Sequence, residues 1–305
     1  MRLTNDSGPS KRTYLHEPST CGEKEAMKNL HLFRCMFLFV CILPWLFAFS
    51  QGGGGQHIFS PGYEDTPMLP GGRWHVHDAK RPHPRIVDPG TPSTQEHTGQ
   101  APSDAVMLFN GSNLDQWRSG KGDAAGWKVE GGYMEVVPGK GDIYTRREFG
   151  DLQLHVEWCT PESTQTSDTE WGNSGVFLYG VYEVQVWDSY HTDNIYADGQ
   201  AGAIYGQYPP LVNSSRKRGE WQVYDLVFTP PRFTGGKLQA PAYVTIFQNG
   251  VVIHNHTALL GETGHRTLPP YVDHGSRGPI RLQDHQERVR YRNIWVRELK
   301  GYDEP

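Results

Sequence analysis

Beyond residue 50 the chain holds one cysteine, Cys159, so this part can form no internal disulfide and no cysteine metal cluster. Long hydrophobic runs are just as scarce. The one strongly apolar stretch, residues 36–49, is too short for a comfortable transmembrane helix and carries Pro44 inside it. A polytopic membrane protein is thereby excluded. Basic charge is not in excess either: 29 Lys and Arg face 34 Asp and Glu, a net charge of -5, and no nucleic-acid partner is expected. Several catalytic signatures are missing as well. The chain has no Gly-x-Ser-x-Gly elbow, no phosphate loop ending in Gly-Lys-Ser/Thr and no His-Glu-x-x-His helix. Apolar spacing of helical period never persists beyond two turns.

Glycine, proline and aromatic residues are plentiful. The 35 Gly and 22 Pro among 305 residues favour turn-rich β structure, and an aromatic content of 12% supplies enough bulk for a packed core. The chain divides into three parts. Residues 1–50 end in the apolar run, and the small residues Ala48 and Ser50 fit a signal peptide cut near Gln51. An uncleaved single-pass anchor is the alternative, and it would be the only membrane attachment. Met27, followed by Lys28 and Arg34, makes a more ordinary signal than the long charged leader and points to a later start. Export without disulfides fits a secreted or bacterial periplasmic protein.

Residues 51–103 contain 17 Gly or Pro in 53 positions and little apolar surface, the composition of a disordered linker. His57, His75, His77, His83 and His97 are read as solvated side chains of that linker, not as a metal site. From residue 104 to 300 short alternating apolar runs follow one another, separated by Gly, Asn and Asp turns. Strands are predicted at 107–109, 127–130, 133–137, 143–145, 152–159, 175–179, 182–188, 221–229, 243–248, 251–254, 280–284 and 290–299, the texture of one all-β antiparallel sandwich. Asn249-Gly250 and Gly131-Gly132 read as tight hairpin turns.

Side chains alternate across a strand, so apolar parity assigns faces. Leu152, Leu154, Val156 and Trp158 form a core face, which sends Gln153, His155 and Glu157 to the open one. By the same parity Glu183, Gln185 and Trp187 oppose Val184 and Val186, and Arg281, Gln283 and His285 oppose Ile280 and Leu282. The three strands are expected to share one surface of acids, amides, an arginine and large rings. Amides and guanidinium groups bond sugar hydroxyls, and aromatic rings cover apolar sugar faces, so a polyol-binding groove is expected. An ordinary solvated sheet face is the plainer alternative. The loops with Asn173, Asp188 and Tyr205 supply further candidates, though each is also an ordinary turn sequence. Cys159 shares the parity of Glu157, and an inert buried thiol is the default for it.

Several of these segments resemble a known family. Leu108-Phe109-Asn110-Gly111-Ser112-Asn113-Leu114-Asp115-Gln116-Trp117 and Trp127-Lys128-Val129-Glu130-Gly131-Gly132 are similar to the opening of the 3-keto-disaccharide hydrolase domain family. The likeness continues through Asn173-Ser174-Gly175-Val176, Tyr182-Glu183-Val184-Gln185-Val186-Trp187-Asp188, Gly202-Ala203-Ile204-Tyr205-Gly206, Ile280-Arg281-Leu282-Gln283-Asp284-His285 and Arg292-Asn293-Ile294, over roughly 104–300. Gln222 stands where many relatives carry Asn, and Tyr179-Gly180 where Arg-Gly is common.

The resemblance implies a concanavalin/laminarinase-like jelly roll acting on glycosides whose C3 hydroxyl is already a ketone. Such a ketone acidifies the C2 proton; a base forms the enolate, the C1 aglycone leaves, and water adds to the enone. Face parity assigns Glu183 or Glu157 as the base and His285 as acid or enolate stabiliser. Asn173, Gln185, Asp188, Arg281 and Gln283 are expected to position hydroxyls, with Trp187 and Tyr205 against sugar rings. A divalent ion on the open-face carboxylates and His285 is compatible with these residues, but their spacing does not demand one. Two other readings stand beside this one: a glycosidase using a carboxylate pair, and a non-catalytic glycan-binding module on a tether.

Overall fold

The computed structural model describes residues 62–162, 171–192 and 194–304. The expected leader, residues 1–50, and the first part of the expected linker lie outside the described residues. Fifteen strands are present among the described residues. In chain order they are β1 (Val106–Phe109), β2 (Trp117–Ser119), β3 (Lys128–Glu130), β4 (Tyr133–Glu135) and β5 (Ile143–Thr145). Then come β6 (Leu152–Cys159), β7 (Ser174–Leu178), β8 (Tyr182–Val186), β9 (Gln222–Thr229) and β10 (Arg232–Thr234). The last are β11 (Lys237–Ala240), β12 (Tyr243–Gln248), β13 (Val251–Ala258), β14 (Arg281–Leu282) and β15 (Arg290–Glu298).

The strands form an antiparallel two-sheet sandwich of jelly-roll type. One sheet runs β13-β12-β9-β6-β15-β4-β3, with β1 paired to β15; the other runs β2-β5-β14-β7-β8. A two-stranded ribbon, β10-β11, completes the set. One turn of 3-10 helix, Ala197–Gly199, interrupts the β structure. Twelve predicted strands coincide with observed ones. β2, β10 and β11 went unread because they are three or four residues long and lack a clean apolar face.

The turns follow from local chemistry. Asn249 and Gly250 both sit at positive φ, 53° and 82°, between paired Gln248 and Val251. Gly131 and Gly132, at 55° and 81°, do the same between Glu130 and Tyr133. Positive φ at both central residues gives the primed turn whose twist matches the flanking strands.

Parity fills the space between the sheets. Leu152, Leu154, Val156 and Trp158 of β6 are buried, as are Val176 and Leu178 of β7 and Tyr182, Val184 and Val186 of β8. The Tyr182 and Phe228 rings meet from opposite sheets with centroids 5.8 Å apart. The Tyr224 hydroxyl reaches across to the Gln185 carbonyl at 2.7 Å. Each such aliphatic or aromatic side chain contributes about 1.5–3 kcal/mol on burial, so this layer fixes both sheets and, with them, the direction of every outward residue.

Residues 62–103 contain isolated bridges but no regular strand, in keeping with their sparse apolar content. Polar contacts hold part of this segment on the large sheet. Ser93 Oγ donates to Glu157 at 2.5 Å, Gln95 exchanges bonds with the Trp221 backbone at 2.7 and 3.0 Å, and Arg292 donates to the Thr94 and Gln95 carbonyls.

Candidate active site

The outer face of the small sheet carries most of the expected residues. Glu183, Gln185 and Trp187 project from β8 and its extension, and Arg281, Gln283 and His285 from β14 and the chain beyond it. Together with Asn173 and Tyr205 they line one cavity of about 540 Å³. That is a suitable volume for a small polar ligand. Two loops close it over β8. The first, 202–205, runs alongside the strand: Gly202 N donates to the Gln185 carbonyl at 2.9 Å, and Tyr205 N to the Glu183 carbonyl at 3.2 Å. The second supplies Thr263, whose Oγ1 accepts from Glu183 N at 3.0 Å, and His265.

Glu183 is the only carboxylate among the described residues lining this cavity. Its side chain is 7% exposed. Burial pushes its carboxyl up to about 8; the Asp142 charge adds to the rise, and Arg281 opposes it. No side chain among the described residues hydrogen-bonds the Glu183 carboxyl, so little offsets its loss of water. The neighbouring strand leaves room for it. A Cβ on Gly175 would lie 2.4 Å from Glu183 Oε1 and 2.6 Å from the Phe177 ring.

The other groups divide into held and unheld atoms. Asn173 Nδ2 lies 3.1 Å from His285 Nδ1. With the amide donating, the neutral imidazole carries its proton on Nε2. The Arg281 guanidinium lies 3.4 Å over the Phe177 ring and 3.6 Å from Asp142. Arg281 Nε is the atom that faces Asp142, while Gln185 Oε1 and Gln283 Oε1 are buried without a hydrogen-bond partner among the described residues. Trp187 is 5% exposed, with its indole N–H donated to Asn194 at 3.2 Å, so it forms wall more than platform.

Two of the ten expected residues are elsewhere. The expectation that three strands share one surface is corrected for β6, which belongs to the large sheet while β8 and β14 belong to the small one. Both open faces point outward, but in opposite directions. Glu157 therefore faces away from Glu183, is fully buried beneath residues 93–95, and sits in its own network. Arg292 Nε donates to it at 2.7 Å, Asn293 Nδ2 at 2.8 Å, and His155 Nε2 lies 3.2 Å away. Burial alone would raise the Glu157 carboxyl, but His155, Ser93, Asn293 and Arg292 outweigh it and hold it down to about 2. Burial likewise pushes His155 down, yet the Asp225 and Glu157 carboxylates lift it to about 9. A carboxylate so firmly held in its charged form is a weak base. The second correction is Asp188. It turns to Arg218, accepting from Nε at 2.9 Å, and does not line the cavity.

Sequence reasoning also missed residues. Phe177 could have been found, since Val176 and Leu178 point inward and put it on the open face. Tyr196, Thr263 and His265 lie in loops with no period to read. Asn293 has positive φ, 46°, where the β6–β15 register slips, and this bulge turns its amide toward Glu157. Cys159 is buried, and burial pushes its thiol up to about 11, an inert state. Among the described residues no group of three or more His, Cys, Asp or Glu side chains is arranged to hold a metal ion.

Comparison with known proteins places this geometry. A solved candidate glycosyl hydrolase from Parabacteroides distasonis ATCC 8503 is 44% identical, covering 77% of this chain and 100% of that one, with a TM-score of 0.68. A second from the same organism is 20% identical over 64% of this chain and 94% of that one, with a TM-score of 0.48. The carbohydrate recognition domain of Emp46p is 13% identical over 64% of this chain and 97% of that one, with a TM-score of 0.33. Among curated proteins there is no match. Residues 104–297 match the 3-keto-alpha-glucoside-1,2-lyase-like domain, so the chain belongs to that family and has a carbohydrate-related function.

Proposed function

We propose that this protein is a carbohydrate-active enzyme that cleaves 3-keto-glycosides, with Glu183 as the base that takes the C2 proton. One observation carries this reading: a single carboxyl, raised to about 8, stands among amides, an arginine and a histidine in the cavity. A glycosidase of the two-carboxylate kind needs a second acid about 5–9.5 Å away. The cavity lining offers none among the described residues, and Glu157 faces the other way. Abstraction α to a ketone needs one base whose pKa approaches the working pH, which desolvation of Glu183 supplies.

As Glu183 accepts the C2 proton, charge moves to the C3 oxygen. Arg281 and the Nε2–H of His285 are the donors suited to that oxyanion. Gln185 and Gln283 line the cavity, and their side-chain amides are the groups suited to sugar hydroxyls. The C1 substituent departs with its bonding electrons, and water then adds across the C1–C2 double bond. The sum is hydrolysis of a keto-glycoside. Export of the protein by its leader is part of the same proposal, since it would set the enzyme on extracellular or periplasmic sugars.

The test uses a 3-keto-glucoside and its unoxidised parent, each with a chromogenic aglycone. Release from the oxidised compound alone is expected. It should rise with pH through about 8 as Glu183 ionises, and fall about 10²–10⁴-fold in Glu183→Gln. Equal release from the parent would favour a two-carboxylate glycosidase. Saturable glycan binding without turnover would favour a lectin-like module.

A further inference from the structure

A second cavity, of about 440 Å³, adjoins the one around Glu183. The two share Tyr196, Tyr205 and His265, so these side chains form the partition between them. Beyond the partition the second cavity is bounded by Asp198, Arg266 and Leu268. Tyr205 is held beside the base by its backbone N–H, which donates to the Glu183 carbonyl at 3.2 Å. Its hydroxyl lies 2.5 Å from the Tyr196 hydroxyl and 2.9 Å from His265 Nδ1. A phenol oxygen accepts two hydrogen bonds. With Tyr196 and His265 both donating, the Tyr205 hydrogen is left for a ligand in the cavity.

We propose that Tyr205 protonates the departing oxygen, and that the second cavity holds the alcohol that leaves. This rests on the elimination reading for Glu183. As the C1–O bond breaks, its electron pair goes to the departing oxygen, which takes the Tyr205 proton. Tyr205 is reprotonated from His265 Nδ1 while the exposed imidazole takes a proton from water at Nε2. In the hydration half, Glu183 returns its proton to C2 while water attacks C1 and gives its surplus proton back through Tyr205. Atoms and charge balance, and both residues end as they began. Burial holds the Tyr205 hydroxyl above its ordinary range. The donor is therefore present at every working pH and is matched to an alkoxide more than to a phenolate. Asp198 and Arg266 supply hydrogen-bonding groups for the hydroxyls of such an alcohol.

The experiment compares an alkyl and a para-nitrophenyl 3-keto-glucoside in the wild type and in Tyr205→Phe. An alkoxide needs a proton in order to leave, whereas nitrophenolate does not. The expected result is a loss of about 10²-fold or more in kcat on the alkyl substrate, with a loss at least about tenfold smaller on the nitrophenyl one. Equal losses on both, or none on either, overturn the assignment while leaving the Glu183 reading intact. A wild type that turns over neither substrate overturns the Glu183 reading, and this proposal falls with it. Should Tyr205→Phe fail to fold by circular dichroism, His265→Gln at its exposed position decides: a selective loss on the alkyl substrate supports the relay, and an unselective one overturns it.

Discussion

Gly175 stands where any side chain would collide with the proposed base. Its added Cβ would approach Glu183 Oε1 and the Phe177 ring well inside contact distance. Neither neighbour can swing aside freely, since Glu183 is nearly buried and Phe177 lies under Arg281. Gly175→Ala is expected to lower kcat about tenfold or more by displacing the carboxyl, and to destabilise the fold by about 1–3 kcal/mol through overpacking. Steady-state kinetics and urea unfolding on the same preparation check both effects. Unchanged kinetics would mean that the Glu183 position is not critical. At this scale the sequence was informative about faces: alternation correctly turned Glu183, Gln185, Arg281 and Gln283 away from the core. It was silent on loop partners such as Tyr196 and His265, whose placement has no periodic signal.

The strand is the scale at which Glu157 and Glu183 part company. Alternation says which side of its own strand a residue occupies, but not which sheet the strand joins. Leu152–Cys159 pairs with β9 and β15, and Tyr182–Val186 with β7, so identical parity yields opposite faces of the molecule. Glu157 then serves a network with Arg292, Asn293, His155 and Ser93. Glu157→Gln strands the Arg292 guanidinium, and removing one partner from a buried ion pair costs about 3–5 kcal/mol. Denaturant unfolding should show that loss, while the kcat of the remaining folded enzyme stays within about threefold of wild type. A hundredfold fall in kcat with intact stability would restore Glu157 as a base. Ser93→Ala should cost a smaller amount, about 1–3 kcal/mol, by leaving the buried carboxylate one donor short. Composition alone shows few apolar groups in 62–103; it does not show that polar contacts to Glu157, Trp221 and Arg292 hold residues 93–95 on the sheet.

Over the described residues, Glu183, His155 and Glu157 are among the buried groups that shape stability against pH. Glu183, raised to about 8, stabilises the fold fully below its unfolded value near 4.5, and that contribution is lost as pH rises through 8. His155, raised to about 9 as part of its pair with Glu157, contributes fully below about 6.5 and is lost as pH rises through 9. Glu157, lowered to about 2, contributes above about 4.5 and is lost as pH falls toward 2. Glu183 and His155 both lose their contribution on the alkaline side, so the fold is expected to be less stable at pH 9 than near pH 6. Glu183→Gln should flatten the decline between about pH 5 and 8 and be more stable than wild type at pH 9, by a few kcal/mol at most. Thermal unfolding across pH 4–10 measures this; a variant and wild type with parallel profiles would mean that Glu183 is not desolvated. Proposed catalysis and stability thus pull in opposite directions at one carboxyl, because the ionised form that serves as base is the form that burial disfavours.

Local chemistry in the sequence determined the all-β class, most strand positions, the primed turns at Asn249-Gly250 and Gly131-Gly132, and the inward or outward sense of most strand residues. These depend on neighbours one or two positions away, through backbone sterics and side-chain alternation. Only the tertiary structure decided that Glu157 and Glu183 belong to different sheets, that Asp188 turns to Arg218, and that loops bring Tyr205 and His265 beside the base. Those are pairings between segments tens to more than a hundred residues apart. They are fixed by the shared core and by hydrogen bonds across it, which no short stretch of chain encodes.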